Sequence, residues 1–318
     1  MADGTTQRGN ERMVWINGEF FPESNGMLSF RDAGFVYGDA VFDTARTFNG
    51  VPFMLEDHID RLFKSLRYAG IDPGYDKAAL IAATNELVER NRHLLGPHED
   101  YWVSQRISSG VPSLDGEPAA REGATVVIEC MPLPLKARAP MFKGGIAAVV
   151  ASVRRVPPEA LSPNAKTNNY MNMKLAQREV SAIAPGSWAV LLDHNGHISE
   201  GAGCNMFVVI DGTVITPPTE TVLPGISRKV AIDLCRETGI PCEERPISLY
   251  DAKVADEGFF TSTSLCLCPL RSFNGGLYPE NPGPVTQRLT DAFKARVGMD
   301  FVAQYMENLT DGPADTGI

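Results

Sequence analysis

The pattern of hydrophobic and polar positions predicts a chain rich in antiparallel hairpins. Short runs of alternating apolar residues flank Asn-Gly or Asp-Gly pairs, the dipeptides that best support a two-residue hairpin turn. These pairs are Asn17-Gly18, Asn49-Gly50, Asn195-Gly196 and Asp211-Gly212. Each pair is therefore expected to join two neighbouring strands.

Helices are predicted between the hairpins, where apolar residues recur at spacings of three and four. The first runs from about Asp57 to Ala69, with Ile59 and Leu62 on its apolar face and Gly70 as its stop signal. Further helices are predicted over 77–95, 168–184 and 227–238, and one that begins at Pro284. Because strands and helices mix without strict β-α-β alternation, the pattern favours the α+β class over a doubly wound sheet.

The length of 318 residues predicts two packed domains, since single hydrophobic cores seldom grow this large. The stretch MPLPLKARAPMFKGG, residues 131–145, interrupts two strand-like segments with prolines and glycines, which is typical of a boundary. We expect a disordered lead-in over 1–12, a small N-terminal domain over 13–132, an interdomain linker over 133–145 and a larger C-terminal domain over 146–310.

Charge and composition limit the kinds of partner, location and metal site that we expect for this chain. The formal net charge of -10 and the absence of a dense basic tract argue against nucleic acid. No apolar run is long enough to cross a bilayer, and the first residues lack the apolar centre of a secretory signal, so a cytoplasmic location is expected. The six cysteines show no C-x-x-C pair and no histidine at zinc-ligand spacing, which favours free thiols and no metal site.

From the residues alone the chemistry stays open. The run from Leu223 to Arg228 is a Pro-Gly turn that opens into a helix and could cradle a phosphate, although most such junctions bind nothing. Lys166 lies in the uncharged stretch SPNAKTNNYMNM, which suits a nucleophilic lysine. Lys174 and Lys229 are nearly as plausible on this ground.

A resemblance to a known family separates these alternatives. The segments AKTNNY (165–170), ISEGAGCN (198–205), LPGISRK (223–229) and TSTSLCLCPL (261–270) occur in this order. As a set they resemble the fold type IV (class IV) aminotransferases, which include branched-chain aminotransferases, D-amino-acid transaminases and (R)-selective amine transaminases. The resemblance covers about residues 13 to 300. It implies a small N-terminal α/β domain and a larger C-terminal pseudo-barrel domain that binds pyridoxal 5'-phosphate.

The resemblance also implies roles for single residues. Lys166 would hold the cofactor as a Schiff base and then move a proton between the substrate carbon and the cofactor in a ping-pong reaction. Glu200 would contact the pyridine nitrogen, and Tyr170 the ring hydroxyl. The phosphate and its surroundings would be bound by Arg61, Asn205, Leu223, Ile226, Ser227 and Thr263. The helix pattern by itself would leave Arg61 as an exposed helix arginine.

The segment YGDAVFDTAR, residues 37–46, resembles a substrate-pocket motif of branched-chain enzymes. The pocket candidates are Tyr37, Phe42, Thr44, Arg46, Arg106 and Ser264. Thr44 replaces the small glycine usual in that motif, and Ser109 replaces an arginine typical of D-amino-acid transaminases. Arg106 shares a strand face with Ser104, where branched-chain enzymes often have arginine, so it either binds a substrate carboxylate or forms a structural salt bridge.

The expected activity is transfer of an amino group from an amino acid or primary amine to a 2-oxo acid, with branched-chain-like or broad specificity. Three alternatives remain open within the family: an (R)-selective amine:pyruvate transaminase, a D-amino-acid transaminase and an aminodeoxychorismate lyase. A cofactor-binding protein without turnover is a fourth. The resemblance further implies a homodimer in which first-domain loops of one subunit reach toward the other's site.

Overall fold

The structure is a computed structural model that describes residues 11–113, 115, 118 and 122–310. These residues divide into two compact units. Unit 1 contains the described residues up to 133 together with 166–168, and unit 2 contains 134–165 and the residues from 169 onward. Of the predicted disordered lead-in, residues 1–10 lie outside the described residues. Arg12, near its end, accepts a backbone hydrogen bond from Glu23.

Unit 1 is a mixed sheet and helix unit whose strands lie in the order β2-β1-β6-β5-β3-β4. The strands are β1 (Met13–Ile16), β2 (Glu19–Pro22), β3 (Ala40–Phe48), β4 (Val51–Pro52), β5 (Tyr101–Ser108) and β6 (Thr125–Pro132). The helices are α1 (Ala33–Val36), α2 (Leu55–Ala69) and α3 (Lys77–Asn91), with short 3-10 turns at Glu23–Asn25 and Arg92–Leu94.

Helix α2 forms where the apolar spacing predicts it. Its buried face includes Ile59, Leu62 and Leu66, which join strand residues such as Val103 in the core of unit 1. The helix ends at Gly70, which has a φ of +71° and caps it in the left-handed conformation. The predicted helix is thus confirmed.

Unit 2 contains a larger sheet in the order β12-β11-β10-β13-β14-β7-β8-β9, with β15 beside β14. Its strands are β7 (Ile146–Val150), β8 (Trp188–Leu192), β9 (Ile198–Gly201), β10 (Asn205–Ile210), β11 (Thr213–Thr216), β12 (Cys242–Glu244), β13 (Glu257–Ser262), β14 (Cys266–Phe273) and β15 (Gly276–Leu277). Its helices are α4 (Leu135–Gly144), α5 (Met171–Ile183), α6 (Ile226–Thr238), α7 (Leu249–Val254), α8 (Pro284–Val297) and α9 (Phe301–Met306).

The sheet of unit 2 curls back on itself. The last strand in its order, β9, leads through a tight turn into β10 in the opposite half, and Gly201 and Cys204 bridge across that turn. Inside the curl lies a core that includes the fully buried Val190, Val208 and Phe260. Both the α+β class and the pseudo-barrel expected of the larger domain are confirmed.

All the predicted hairpins are present. The pairs β1/β2, β3/β4, β8/β9 and β10/β11 are antiparallel and flank the expected turns. Asn17, Asn49 and Asp211 each adopt a positive φ near 50°, as a type I′ turn requires. The turn at Asn195 is longer, because strand pairing resumes only at Ile198 opposite Leu192.

Within the stretch 133–145, where a linker is predicted, unit 2 begins at Pro134, and Leu135–Gly144 form helix α4. Its apolar residues Leu135, Ala139 and Met141 are buried there, and this burial outweighs the cost of Pro140 inside the helix. Helix α5 begins at Met171 rather than at residue 168, because residues 166–168 are extended along β3. Within the described residues, no helix combines the length and apolarity needed to cross a membrane.

Candidate active site

Three hydrogen bonds within unit 1 hold the backbone at and next to Lys166. The Phe42 amide donates to the Lys166 carbonyl at 2.9 Å, and the Asn168 amide donates to the Ala40 carbonyl at 2.9 Å. The Lys166 amide donates to Ser65 Oγ of helix α2 at 3.0 Å. Lys166 Nζ lies 4.3 Å from the centroid of the Phe42 ring. This half-buried lysine is therefore presented from a rigid frame rather than from a loose loop.

Arg61 is buried, with 6% of its surface exposed, and is not the exposed helix arginine that the helix pattern by itself would suggest. Its Nε donates to Asp43 Oδ2 at 2.8 Å and its Nη2 donates to Asp43 Oδ1 at 2.7 Å. The helix pattern misses this because Asp43 comes from β3, and a long arginine stem packs readily over apolar neighbours.

His58 lies on the same carboxylate, with Nδ1 2.7 Å from Asp43 Oδ1. Burial lowers the pKa of His58 below 6.5, and Arg61 and Lys166 add to that effect against the opposing charge of Asp43. Burial alone would raise the pKa of Asp43, but the charges and hydrogen bonds of Arg61 and His58 outweigh it and hold this pKa well below its usual range. At neutral pH the cluster is thus a carboxylate, a guanidinium and a neutral imidazole.

The sheet of unit 1 presents Phe42 and Thr44 of β3 and Ser104 and Arg106 of β5 on one face, since these residues pair across the two strands. Thr44 Oγ1 lies 2.9 Å from Ser104 Oγ. The Thr44 side chain, which is larger than the glycine usual at this position of the motif, is therefore held in place by a hydrogen bond. Arg106 Nε donates to Glu129 at 2.8 Å, and the guanidinium lies 5.1 Å from the Phe42 ring centroid.

Arg46, the other pocket arginine of unit 1, is enclosed. It is 2% exposed, its Nε donates to the Thr47 carbonyl, and its Nη2 lies 3.7 Å from Asp100. Its guanidinium also covers the Phe48 ring at 4.0 Å. By contrast, the Arg106 side chain is 40% exposed. Tyr37 is 73% exposed in this single chain.

Glu200, on β9 of unit 2, is a buried carboxylate with defined partners. Arg155 Nε donates to its Oε1 at 2.8 Å. Its Oε2 accepts from the Leu223 amide at 3.1 Å and from Asn205 Nδ2 at 3.5 Å. Sequence reasoning missed Arg155 as a partner of Glu200, because the two residues are far apart in the chain; the only sequence signal was the arginine pair before the prolines at 157 and 158.

The turn before α6 packs closely against the Asn205 side chain. Asn205 Nδ2 donates to the Leu223 carbonyl at 3.0 Å, and a Cβ on Gly225 would fall 2.2 Å from Asn205 Oδ1, so only glycine fits there. The N-cap residue of α6 is Gly225, which has no side chain to cap the first amides of the helix. Ser227 Oγ donates to the Ser262 carbonyl at 3.0 Å.

The remaining unit 2 candidates lie on turns and helix ends. Thr263 and Ser264 occupy the turn between β13 and β14, and the Ser264 carbonyl accepts from the Tyr305 hydroxyl. Tyr170 precedes α5 as its N-cap residue and packs, half-buried, against a cluster that includes Met173.

Comparison with known proteins identifies the family. Residues 40–273 match the model of the amino-transferase class IV family. The chain is 34% identical over 284 residues to a putative branched-chain-amino-acid aminotransferase of Methanocaldococcus jannaschii, covering 88% of this chain and 95% of that protein. It is 28% identical to D-alanine aminotransferase of Bacillus licheniformis over 88% and 95% of the two chains. The crystal structure of the Escherichia coli branched-chain enzyme superimposes with a TM-score of 0.81 at 29% identity, covering 95% of this chain and 97% of that one.

The buried histidine gives the protein a specific acid sensitivity. Because the folded-state pKa of His58 lies below 6.5, the unfolded chain takes up a proton there that the folded chain resists. Stability therefore falls as the pH drops below that value, by at most about 1.4 kcal/mol per pH unit from this residue. We expect His58→Gln to flatten the decline of Tm between about pH 7 and pH 5.

Thermal denaturation at a series of pH values measures this slope. His93→Gln is the matched control, since His93 is exposed in the 3-10 turn after α3. Its profile should run parallel to that of the unaltered protein. A His58→Gln profile that also runs parallel would contradict the assignment.

Proposed function

Because the chain belongs to the class IV aminotransferases, we propose that it transfers the amino group of a branched-chain or similarly apolar amino acid to a 2-oxo acid, with Lys166 as the catalytic residue. The observation that carries this proposal is the fixed backbone of Lys166, held by β3 and α2. The protein is an aminotransferase and uses pyridoxal 5'-phosphate, as its family does.

The residues present fit this cofactor, each within its own unit. Glu200 is a buried carboxylate, the group needed beside a protonated pyridine nitrogen. The amides at the start of α6, where the N-cap residue is a glycine without a capping side chain, suit phosphate oxygens. When bound, pyridoxal 5'-phosphate supplies an aldehyde that condenses with amines and a ring that accepts the electron pair of the substrate carbon.

We assign the chain's own residues the following parts. Lys166 would hold the cofactor aldehyde, and its free amine would move a proton between the substrate carbon and the cofactor C4'. Glu200 would keep the pyridine nitrogen protonated, and Tyr170 would bind the ring hydroxyl. The phosphate is bound by Arg61, by the amides of Ile226 and Ser227, and by Thr263, with Leu223 and Asn205 supporting the turn. Ping-pong kinetics are expected, because the amino donor and the 2-oxo acid acceptor use the same site in turn and the first product leaves before the second substrate binds.

The face of the unit 1 sheet that carries Phe42, Thr44, Ser104 and Arg106 is called the open face here. It suits a substrate that has both an apolar side chain and a carboxylate. Phe42 offers an apolar surface, and the hydroxyl groups of Thr44 and Ser104 form a hydrogen bond with each other. Arg106 is the better candidate for a carboxylate than Arg46, because it is exposed and its partner Glu129 is on the same open face. Tyr37 and Ser264 remain proposed pocket residues.

We further propose a homodimer. The segment 27–37 exposes a series of large apolar side chains: Met27 (83%), Leu28 (57%), Phe30 (79%), Phe35 (80%), Val36 (49%) and Tyr37 (73%). Contiguous exposed apolar surface of this kind is typical of protein interfaces. A second copy of the chain that covers this segment would also bring Tyr37 out of solvent, in keeping with its proposed place at a substrate pocket.

A cytoplasmic location is also proposed. All the cysteines are free thiols, including the buried Cys130, Cys204 and Cys268. Thiols of this kind persist in reducing compartments, where disulfides are rare.

Replacement of the proposed catalytic lysine tests the mechanism. We expect Lys166→Ala to abolish covalent retention of the cofactor after borohydride reduction and to slow the half-reaction at least about 100-fold, since the proton carrier is lost. Peptide mapping by mass spectrometry locates the cofactor. Lys174→Ala is the control, because Lys174 lies in the same stretch on α5. Cofactor on Lys174 in the unaltered protein would overturn the proposal.

A half-reaction screen tests the substrate class. We expect L-leucine to discharge the absorbance band of the lysine-bound cofactor faster than D-alanine or (R)-1-phenylethylamine, because the relatives include branched-chain enzymes and Phe42 favours an apolar side chain. Stopped-flow absorbance measures the three rates. Faster discharge by D-alanine would move the assignment to the D-amino-acid class, and release of pyruvate from aminodeoxychorismate without any discharge by the three amines would indicate a lyase.

Sedimentation equilibrium tests the dimer. We expect the unaltered chain at twice its mass of 34.5 kDa, and a Phe30→Ser, Phe35→Ser double variant shifted toward monomer because it removes apolar interface area. Ile183→Ser is the control, since Ile183 is 68% exposed on α5, outside the segment. A monomeric unaltered protein, or equal shifts in both variants, would contradict the assignment.

A further inference from the structure

Asp43 is a fully enclosed carboxylate that no proposed role above uses. It is 0% exposed and lies on the buried face of β3, between Phe42 and Thr44 on the open face. A charge is costly to bury unless it is paired and hydrogen-bonded. The groups that form hydrogen bonds with the Asp43 carboxylate therefore indicate its role.

Hydrogen bonds fill both carboxylate oxygens of Asp43. Oδ1 accepts from the Thr44 amide at 2.7 Å, from Arg61 Nη2 at 2.7 Å and from the His58 ring at 2.7 Å. Oδ2 accepts from Arg61 Nε at 2.8 Å. The carboxylate itself cannot rotate without breaking several of these bonds, because the Thr44 amide belongs to the strand.

The pairing with Arg61 uses one edge of the guanidinium. A guanidinium is planar, with its donors in a rigid fork, so gripping the Nε and Nη2 edge fixes the whole group. The third nitrogen, Nη1, then points away from Asp43. Neutral His58 fills the remaining side of the carboxylate without adding a second positive charge beside Arg61.

The helix face that carries Arg61 also holds the catalytic lysine. His58, Arg61 and Ser65 are spaced three and four residues apart on α2 and share one face. Ser65 Oγ donates to the Arg61 carbonyl at 3.1 Å and accepts from the Lys166 amide at 3.0 Å. The orientation of Arg61 and the position of Lys166 are thus set by the same frame within unit 1.

We propose that Asp43 is a positioning residue, which orients the guanidinium of Arg61 to bind the phosphate of the cofactor. This inference depends on the proposed role of Arg61 in holding that phosphate. It predicts that Asp43 contributes to the affinity for the phosphate group and not to the affinity for the rest of the cofactor.

Comparison of two ligands isolates that contribution. The full-length chain is loaded with pyridoxal 5'-phosphate or with pyridoxal, which lacks the phosphate, and each dissociation constant is measured by equilibrium dialysis. We expect Asp43→Asn to weaken binding of the phosphorylated ligand about 10-fold to 100-fold, the size of one or two charge-assisted hydrogen bonds, and to leave pyridoxal within about 3-fold.

Asp100→Asn is the matched control. Asp100 is also a fully buried aspartate of unit 1 next to an arginine, Arg46, and it accepts from Thr47 and Gly50. The ratio to compare is the dissociation constant of pyridoxal divided by that of pyridoxal 5'-phosphate. The same carboxylate-to-amide change at Asp100 should leave this ratio unchanged. If Asp43→Asn does not fold, Asp43→Glu keeps the charge, shifts the carboxylate by one methylene and should lower the same ratio.

Arg61→Met separates the two hypotheses. If this variant leaves the ratio unchanged, Arg61 does not bind the phosphate, and both the proposed role of Arg61 and the inference fail. If Arg61→Met lowers the ratio while Asp43→Asn and Asp43→Glu weaken both ligands equally, Asp43 is only structural and the inference alone fails. Selective loss of the phosphorylated ligand in the Asp43 and Arg61 variants supports both.

Discussion

The first residues of β3 have an edge that no strand of the hairpin covers. The partner β4 pairs only with Thr47 and Phe48, so the backbone groups near Ala40 and Phe42 need other partners. The segment 166–168 supplies them, with Val41 and Thr167 bridged in antiparallel fashion. This edge pairing fixes the backbone position of Lys166, because its carbonyl and the amide of Asn168 both take part.

Two buried carboxylates are stabilised in the same way, one in each unit. Asp43 accepts from Arg61 and from the Thr44 amide, and Glu200 accepts from Arg155 and from the Leu223 amide. In each case an arginine balances the charge and a backbone amide fixes the direction of the carboxylate. Such pairs contribute little net stability, since desolvation opposes their attraction, but they give a defined geometry to the groups around them.

Local patterns predicted the regular elements well. The turn pairs and the apolar face of α2 depend on neighbours within a few residues, and the structure confirms them. The proline and glycine content of 133–145 gave no signal of helix α4, because the apolar residues of this helix become buried only in unit 2. The start of α5 was placed too early for a related reason, since residues 166–168 pair with a strand more than a hundred residues earlier.

The sequence by itself determined the family and the α+β class, because ordered motifs and short-range periodicity can be read without knowledge of the fold. Tertiary structure decided how the polar residues are partnered. Arg61 is buried and hydrogen-bonded to Asp43, Arg46 is buried beside Asp100, and Arg106 keeps a side chain that is 40% exposed beside Glu129. Each of these pairs joins different elements of the chain, and the free energy of a charge depends on the partners and the burial that only the folded chain provides.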